Sequence, residues 1–401
     1  MSPPPTTQKG RAEFIAMVAL LMSIIALSVD IMLPAASEMS AFFSLENDND
    51  RQAIITIIFA GLLFGQLFFG PLSDYIGRKP AILLGLGIHL TGSLFCLFAQ
   101  EFWVLLLGRF LQGFGGAGPR IVIVAMVRDR FSGPAMAQIM SIALTVFIMV
   151  PTFAPAIGQG ILLFAPWQVL FATLVVMAIL GGLWLTIRQP ETHLERLPFE
   201  PKKLLVGART VFTTPVSMLY SCAAGCAFGT LLGYIVSSQQ ILQDLYETGE
   251  LFALYFGITA LFVAGSTTAN AWLLNRYTME AITGAAIATQ LIWSLLGLAY
   301  LWIYQTPSLM LWMIFISVTL FLVGTTFGNY SAIALRPLGK IAGIASSVTA
   351  SIQTLISIMV ASLIGSAFSM NVTPVVVGSF LMAVTASVLM IVARWLESRQ
   401  V

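Results

Sequence analysis

Charge is what this 401-residue chain has least of: Asp, Glu, Lys and Arg make up 9% of it, against about 25% in an average soluble domain. Residues 131 to 187, 281 to 335 and 341 to 393 contain no Asp, Glu, Lys, Arg or His at all. There are 2 histidines and 3 cysteines, and Cys96, Cys222 and Cys226 all fall inside apolar runs, which excludes a disulfide framework and a His/Cys metal cluster. No H-E-x-x-H, G-x-S-x-G or P-loop G-x-x-x-x-G-K-[ST] occurs, so neither a membrane enzyme nor an ATP-driven pump has its machinery here. No cofactor is expected, and no basic surface for nucleic acid.

What is abundant is hydrocarbon, with 58% hydrophobic residues. Backbone polar groups cannot go unsatisfied in lipid, so a spanning chain is a helix bundle or a closed barrel. Unbroken apolar runs of 18 or more residues select helices. Each charge-free interval holds two spans around a turn, visible as Ala165-Pro166-Trp167, Gln305-Thr306-Pro307-Ser308 and Ser369-Met370-Asn371-Val372-Thr373-Pro374. The first run, residues 14 to 36, is too long for a signal-peptide core and is assigned as the first span.

The sequence thus predicts an all-α membrane protein with twelve transmembrane helices, starting near residues 14, 52, 81, 102, 133, 168, 213, 250, 280, 308, 341 and 375. Residues 1–13 form an N-terminal tail, 14–189 a first six-helix bundle, 190–212 a linker, 213–396 a second six-helix bundle and 397–401 a C-terminal tail. Of 19 basic residues, 16 fall on one side, including Lys9, Arg11, Arg78, Lys79, Arg188 and Arg196. The positive-inside rule makes that side, with both termini, cytoplasmic. A 6+6 plan implies pseudo-symmetric halves with a substrate site between them.

The segment GPLSDYIGRKP, residues 70 to 80, follows span 2; RFLQGFGGAG, residues 109 to 118, lies in span 4; VPTFAPAIGQG, residues 150 to 160, lies in span 5. Together they resemble the loop, arginine and proline-glycine signatures of the major facilitator superfamily. VDIMLPAASEM at 29 to 39, GYIVSSQQILQDLY in span 7 and RPLGKIAGIASSV before span 11 are similar to its Bcr/CflA branch of multidrug exporters. The resemblance implies the major facilitator fold and exchange of lipophilic drug-like molecules, chloramphenicol- or bicyclomycin-like antibiotics among them, for protons. It implies a monomer in a bacterial inner membrane, powered by the proton gradient. Symport of a small nutrient or organic acid is the competing transport reading. The signatures carry a set of conformational residues: Gly70, Asp74, Gly77, Arg78, Lys79, Gln112, Gly113, Pro151, Pro155 and Gly158.

Of the 17 acidic residues only Asp30 sits well inside a span, and an intramembrane carboxylate marks an ion pathway. Asp30 is about 10 Å and Arg109 about 9 Å below the same face, a depth match that allows them to meet, either to couple transport to protons or as a static ion pair fixing spans 1 and 4. Arg120, on the same helical face as Arg109, is a substrate-binding candidate with three alternative contacts, Glu13, the Asp74 and Asp129 network, or an anionic part of the substrate; the competing reading is that it snorkels to the inner surface. Asp30 itself and the mid-span polar residues Tyr234, Ser238, Gln239, Asn329, Tyr330 and Gln353 complete the expected drug site. His89 reads as a packing or hydrogen-bonding residue.

Overall fold

The structure is a computed structural model that describes residues 8–193 and 201–399. Residues 1–7 of the expected tail, 194–200 of the expected linker, with Arg196, and 400–401 lie outside the described residues. Every described element is helical, and twelve stretches are long and apolar enough to cross a membrane. The fold divides into two compact units, residues 1–201 and 202–401.

In the first unit, α1 (Gln8–Asp30) and α2 (Ala36–Phe42) build span 1, joined by a 3₁₀ turn over Leu33–Ala35. The span therefore runs to Phe42 and is broken inside, where the sequence pattern reads as one helix ending at residue 36. Pro34 is the reason: it has no N–H to give to the carbonyl four residues earlier, which is that of Asp30. The α-helix stops at Asp30.

Spans 2 to 6 are α3 (Ala53–Ile76), α4 (Arg78–Leu97), α5 (Phe102–Arg130), α6 (Gly133–Leu162) and α7 (Gln168–Arg188). Glycine lets α5 approach its neighbours at backbone distance. A Cβ at Gly113 would strike the Ile58 carbonyl of α3, and one at Gly115 would strike the His89 backbone nitrogen of α4. Backbone-to-backbone packing of this kind is how helices associate where lipid removes the hydrophobic drive. Pro151 and Pro155 sit inside a continuous α6, which packs along α1.

The second unit begins within the interval expected to be a linker. There α8 (Pro201–Thr213) is an amphipathic helix whose buried Val211 joins Leu338, Ala345, Val348 and Ile352 in one apolar cluster. Spans 7 to 12 follow as α9 (Pro215–Gln239), α10 (Phe252–Leu273), α11 (Met279–Tyr304), α12 (Leu309–Leu335), α13 (Ala342–Ser366) and α14 (Thr373–Ser398). A π-helical stretch, Gln240–Leu245, extends α9. The helix α9 is the unit's centre, packed by α12, α13 and α14.

Candidate functional site: a buried arginine and an unpaired carboxyl

Asp30 closes α1 at the break made by Pro34, and its side chain is 3% exposed. Arg109 enters from α5 and is 0% exposed. The two are electrostatically coupled but form no ion pair. The direct contact that their matched depth allows is thus absent, because backbone carbonyls compete for the guanidinium. Arg109 Nε donates to the Ile54 carbonyl at 2.9 Å; Nη1 donates to the Ser28 carbonyl at 2.8 Å and to Gln112 Oε1 at 2.8 Å. Arg109 Nη2 and Asp30 Oδ1 are each buried without a hydrogen-bond partner. Two orphaned polar atoms of opposite charge in one helix cluster are what a site with a second arrangement leaves behind, since buried polar groups are otherwise paired.

The arginine belongs to a closed circuit. Gln112 Nε2 donates to Ser93 Oγ at 2.8 Å, and Ser93 Oγ donates to the His89 carbonyl at 2.9 Å. His89 Nδ1 lies 3.0 Å from the Gln112 carbonyl, which can only accept, so Nδ1 carries the proton. His89 Nε2 faces Ser28 Oγ at 3.3 Å, which returns the circuit to α1. Spans 1, 3 and 4 are tied into one polar knot, and Ile54 adds span 2. Of the two roles expected of His89, packing or hydrogen bonding, the second is the one found. The signal was there: it is the single histidine of an apolar span.

Next to the knot, Gly158 of α6 lies against the broken segment of span 1. A Cβ there would collide with the Ile31 carbonyl and come within 3.3 Å of Pro34. Gly160 has nothing within 4 Å. The motif glycine is therefore a contact for the residue after Asp30.

At the basic end of the same unit, Gly77 links α3 to α4 with φ +106°, a left-handed conformation that favours glycine. Arg78 is buried; its Nη1 donates to Asp74 Oδ1 at 2.5 Å and Ser73 Oγ at 2.7 Å, and its Nε to Asp129 Oδ2 at 2.9 Å. Ser73 Oγ donates to the Gly70 carbonyl at 2.8 Å. Lys79 Nζ donates to the carbonyls of Thr186 and Gln189, both at 2.8 Å. Glu191, which sequence reasoning passed over, accepts from the backbone N–H of Arg78 at 3.0 Å and of Lys79 at 3.1 Å. Its carboxylate sits on the positive end of the α4 dipole. The signature loop is thus clamped from three sides, by spans 2 and 4 and by the segment after span 6.

Arg120 is where the sequence left three contacts open. Two are taken: Glu13 holds Arg188 at 2.6 and 2.7 Å, and Asp74 and Asp129 hold Arg78. The contact found is with Phe147 of α6, 5.6 Å from guanidinium carbon to ring centroid.

The polar candidates of the second unit lie on three helices, α9, α12 and α13. All six are buried in its packing. Tyr234 shares a hydrogen bond with Thr259 at 3.2 Å and stacks on Phe256. Ser238 donates to its own helix at Ile235, and Gln239 to Gln243 at 2.8 Å. Asn329 and Asn270 exchange hydrogen bonds of 2.9 and 3.1 Å between α12 and α10. Gln353 accepts from Ser331 at 3.4 Å, and Tyr330 packs against Tyr220. Tyr234, Asn329 and Gln353 thus bond between helices, which hydrocarbon favours over an unsatisfied polar group, whereas Ser238 and Gln239 bond within their own chain segment and the Tyr330 hydroxyl is buried with no hydrogen-bond partner among the described residues.

Comparison with known proteins agrees with this architecture. The chain is 28% identical over 373 residues to the bicyclomycin resistance protein homolog of Haemophilus influenzae, covering 90% of each chain. It is 37% identical over 142 residues to the multidrug resistance protein MdtL of Salmonella schwarzengrund, covering 35% of this chain and 36% of that one. Among solved structures it superposes on a D-xylose-proton symporter with a TM-score of 0.70 at 12% identity, over 94% of this chain and 97% of the other. A family model described as Major Facilitator Superfamily matches residues 14–361. With twelve spans in two six-helix units and the three signature segments on spans 2, 4 and 5, that match means the chain belongs to the major facilitator superfamily of transporters.

Proposed function

We propose that this transporter exports lipophilic drug-like molecules in exchange for protons, with Asp30 as the group that carries the proton. The observation that supports this most is the state of Asp30: a carboxyl at a helix break deep inside a span, Oδ1 unpartnered, electrostatically coupled to a buried arginine it does not touch. Protonated, it is a neutral group beside the Arg109 knot; ionised, it is drawn to the unpartnered Nη2. The two arrangements differ in contacts within span 1, so proton binding and the path of span 1 are linked, which is the requirement for alternating access. The names of the relatives, bicyclomycin resistance protein homolog and multidrug resistance protein, support drugs as the cargo.

In this reading the chain lies in a bacterial inner membrane with both ends cytoplasmic, works as a monomer, and uses the proton gradient without any cofactor. Arg109 acts as the electrostatic partner, while the His89, Ser93 and Gln112 circuit holds it in place. The Arg78 clamp and Gly158 control the motion of spans 2, 4 and 5 relative to span 1. The test is proton release: chloramphenicol added to purified protein in weakly buffered detergent solution acidifies the medium if drug and proton exclude one another. Binding of the drug without any proton release sinks the exchange mechanism.

A further inference from the structure

Arg120 carries a charge that no described residue meets with an ion pair or a hydrogen bond. It lies eleven residues after Arg109, about 20° from the same helical face and roughly 16 Å farther along. Helix α5 runs from Phe102 to Arg130, so Arg120 stands four residues, about 6 Å, past its middle. Side chains on a helix lean toward its N-terminus, which carries this guanidinium back toward mid-membrane and away from the basic end. Phe147, the ring it lies over, is near the centre of the 30-residue α6, so the geometry rejects snorkelling to the interface.

The side chain is partly exposed and has no ion pair or hydrogen bond with any described residue. Four described acids at the basic end of the unit have other partners: Glu13 bonds Arg188, Asp74 and Asp129 bond Arg78, and Glu191 bonds the start of α4. An uncompensated guanidinium at this depth is expensive, and such residues mark ligand pathways. A planar five-donor cation over an aromatic ring matches one chemistry closely: a carboxylate attached to an apolar or aromatic body, the oxygens bonded in pairs by the fork and the body lying along the ring.

We propose that Arg120 and Phe147 form an anion subsite in the N-terminal unit that takes the carboxylate of an amphipathic organic acid. The proposal rests on the exporter reading and narrows its cargo: one class of substrate is anionic. Asp30 and Arg109 have no part in holding it.

The test uses the purified full-length chain and two probes of one shape, 2-naphthoate and 2-naphthamide, in equilibrium dialysis at neutral pH. Wild type binds the carboxylate at least roughly tenfold tighter than the amide, as a charge-assisted hydrogen bond commands. Arg120→Gln removes that preference, weakening the carboxylate far more than the amide; Arg120→Lys keeps part of it; Phe147→Leu weakens both probes together. Equal binding of the two probes by wild type overturns the subsite, whether or not any variant folds. So does an Arg120→Gln protein, monodisperse on size exclusion, that still prefers the carboxylate. Gradient-driven export of chloramphenicol, a neutral drug, is read on the same preparations in proteoliposomes. Its failure in wild type counts against the exporter reading, whereas equal probe affinity counts against the subsite alone.

Discussion

Arg109 donates through Nη1 to the carbonyl of Ser28 at 2.8 Å, two residues before Asp30, whose Oδ1 is buried without a partner. The cation holds the backbone of span 1 and leaves its carboxyl unbound. In the proposed mechanism this arrangement separates two functions that a simple ion pair would merge: fixing the helices, assigned to the carbonyl contacts, and sensing the proton, assigned to Asp30.

Because three acceptors converge on Arg109, lysine is not a substitute. Its single ammonium cannot reach Ile54, Ser28 and Gln112 together, and each buried acceptor left alone costs about 1–3 kcal/mol. Arg109→Lys is expected to lower the melting temperature in detergent and abolish transport. A Lys variant with wild-type melting and efflux contradicts the assignment.

The contact between α6 and the broken segment of span 1 separates two glycines of one motif. Gly158→Ala places a methyl on the Ile31 carbonyl and is expected to cost both stability and transport, while Gly160→Ala meets open space and is expected to be silent. Thermal unfolding and drug efflux of the two variants side by side decide it. Equal effects would mean that the motif acts only through helix propensity.

Glu191 is predicted to matter through the α4 dipole and the two N–H groups it caps. Glu191→Gln keeps hydrogen-bond acceptance but loses the charge, for an expected loss of about 0.3–1 kcal/mol. Asp129→Asn strips a buried arginine of one of its two carboxylates and is expected to cost more. Denaturation of both single variants ranks them.

Asn329 is expected to be a strut rather than a drug ligand. Asn329→Val removes its exchange with Asn270 at a cost of about 0.6 kcal/mol, the average for such bonds in membranes. The spectrum of exported compounds stays unchanged. A variant that keeps its stability but loses some substrates and retains others reverses this reading.

The number, type and placement of the spans were legible in the sequence because lipid leaves so few options: long charge-free runs and turn residues locate the helices, and the fold follows. The depth match of Asp30 and Arg109 was legible for the same reason, since helical rise converts residue number into distance. Their actual relation was not. Whether a guanidinium meets a carboxylate or a carbonyl depends on side-chain geometry and on the helix break at Asp30. That break follows from Pro34, though the apolar pattern runs straight through it. Glu191 escaped because a loop carboxylate acquires its role from the helix terminus that folds against it. Of the six polar residues of spans 7, 10 and 11, Tyr234, Asn329 and Gln353 bond between helices, and the sequence could not tell such a bond from a ligand contact because in hydrocarbon the two select the same residue types.

The account's central claim, that Asp30 carries the coupled proton, is tested most directly by Asp30→Asn in proteoliposomes, with drug movement measured with and without an imposed pH gradient. The prediction is that the variant folds, still exchanges drug down its own gradient, and shows no acceleration when the pH gradient is applied, while wild type is driven to accumulate drug. Gradient-driven accumulation by Asp30→Asn at the wild-type level contradicts the claim.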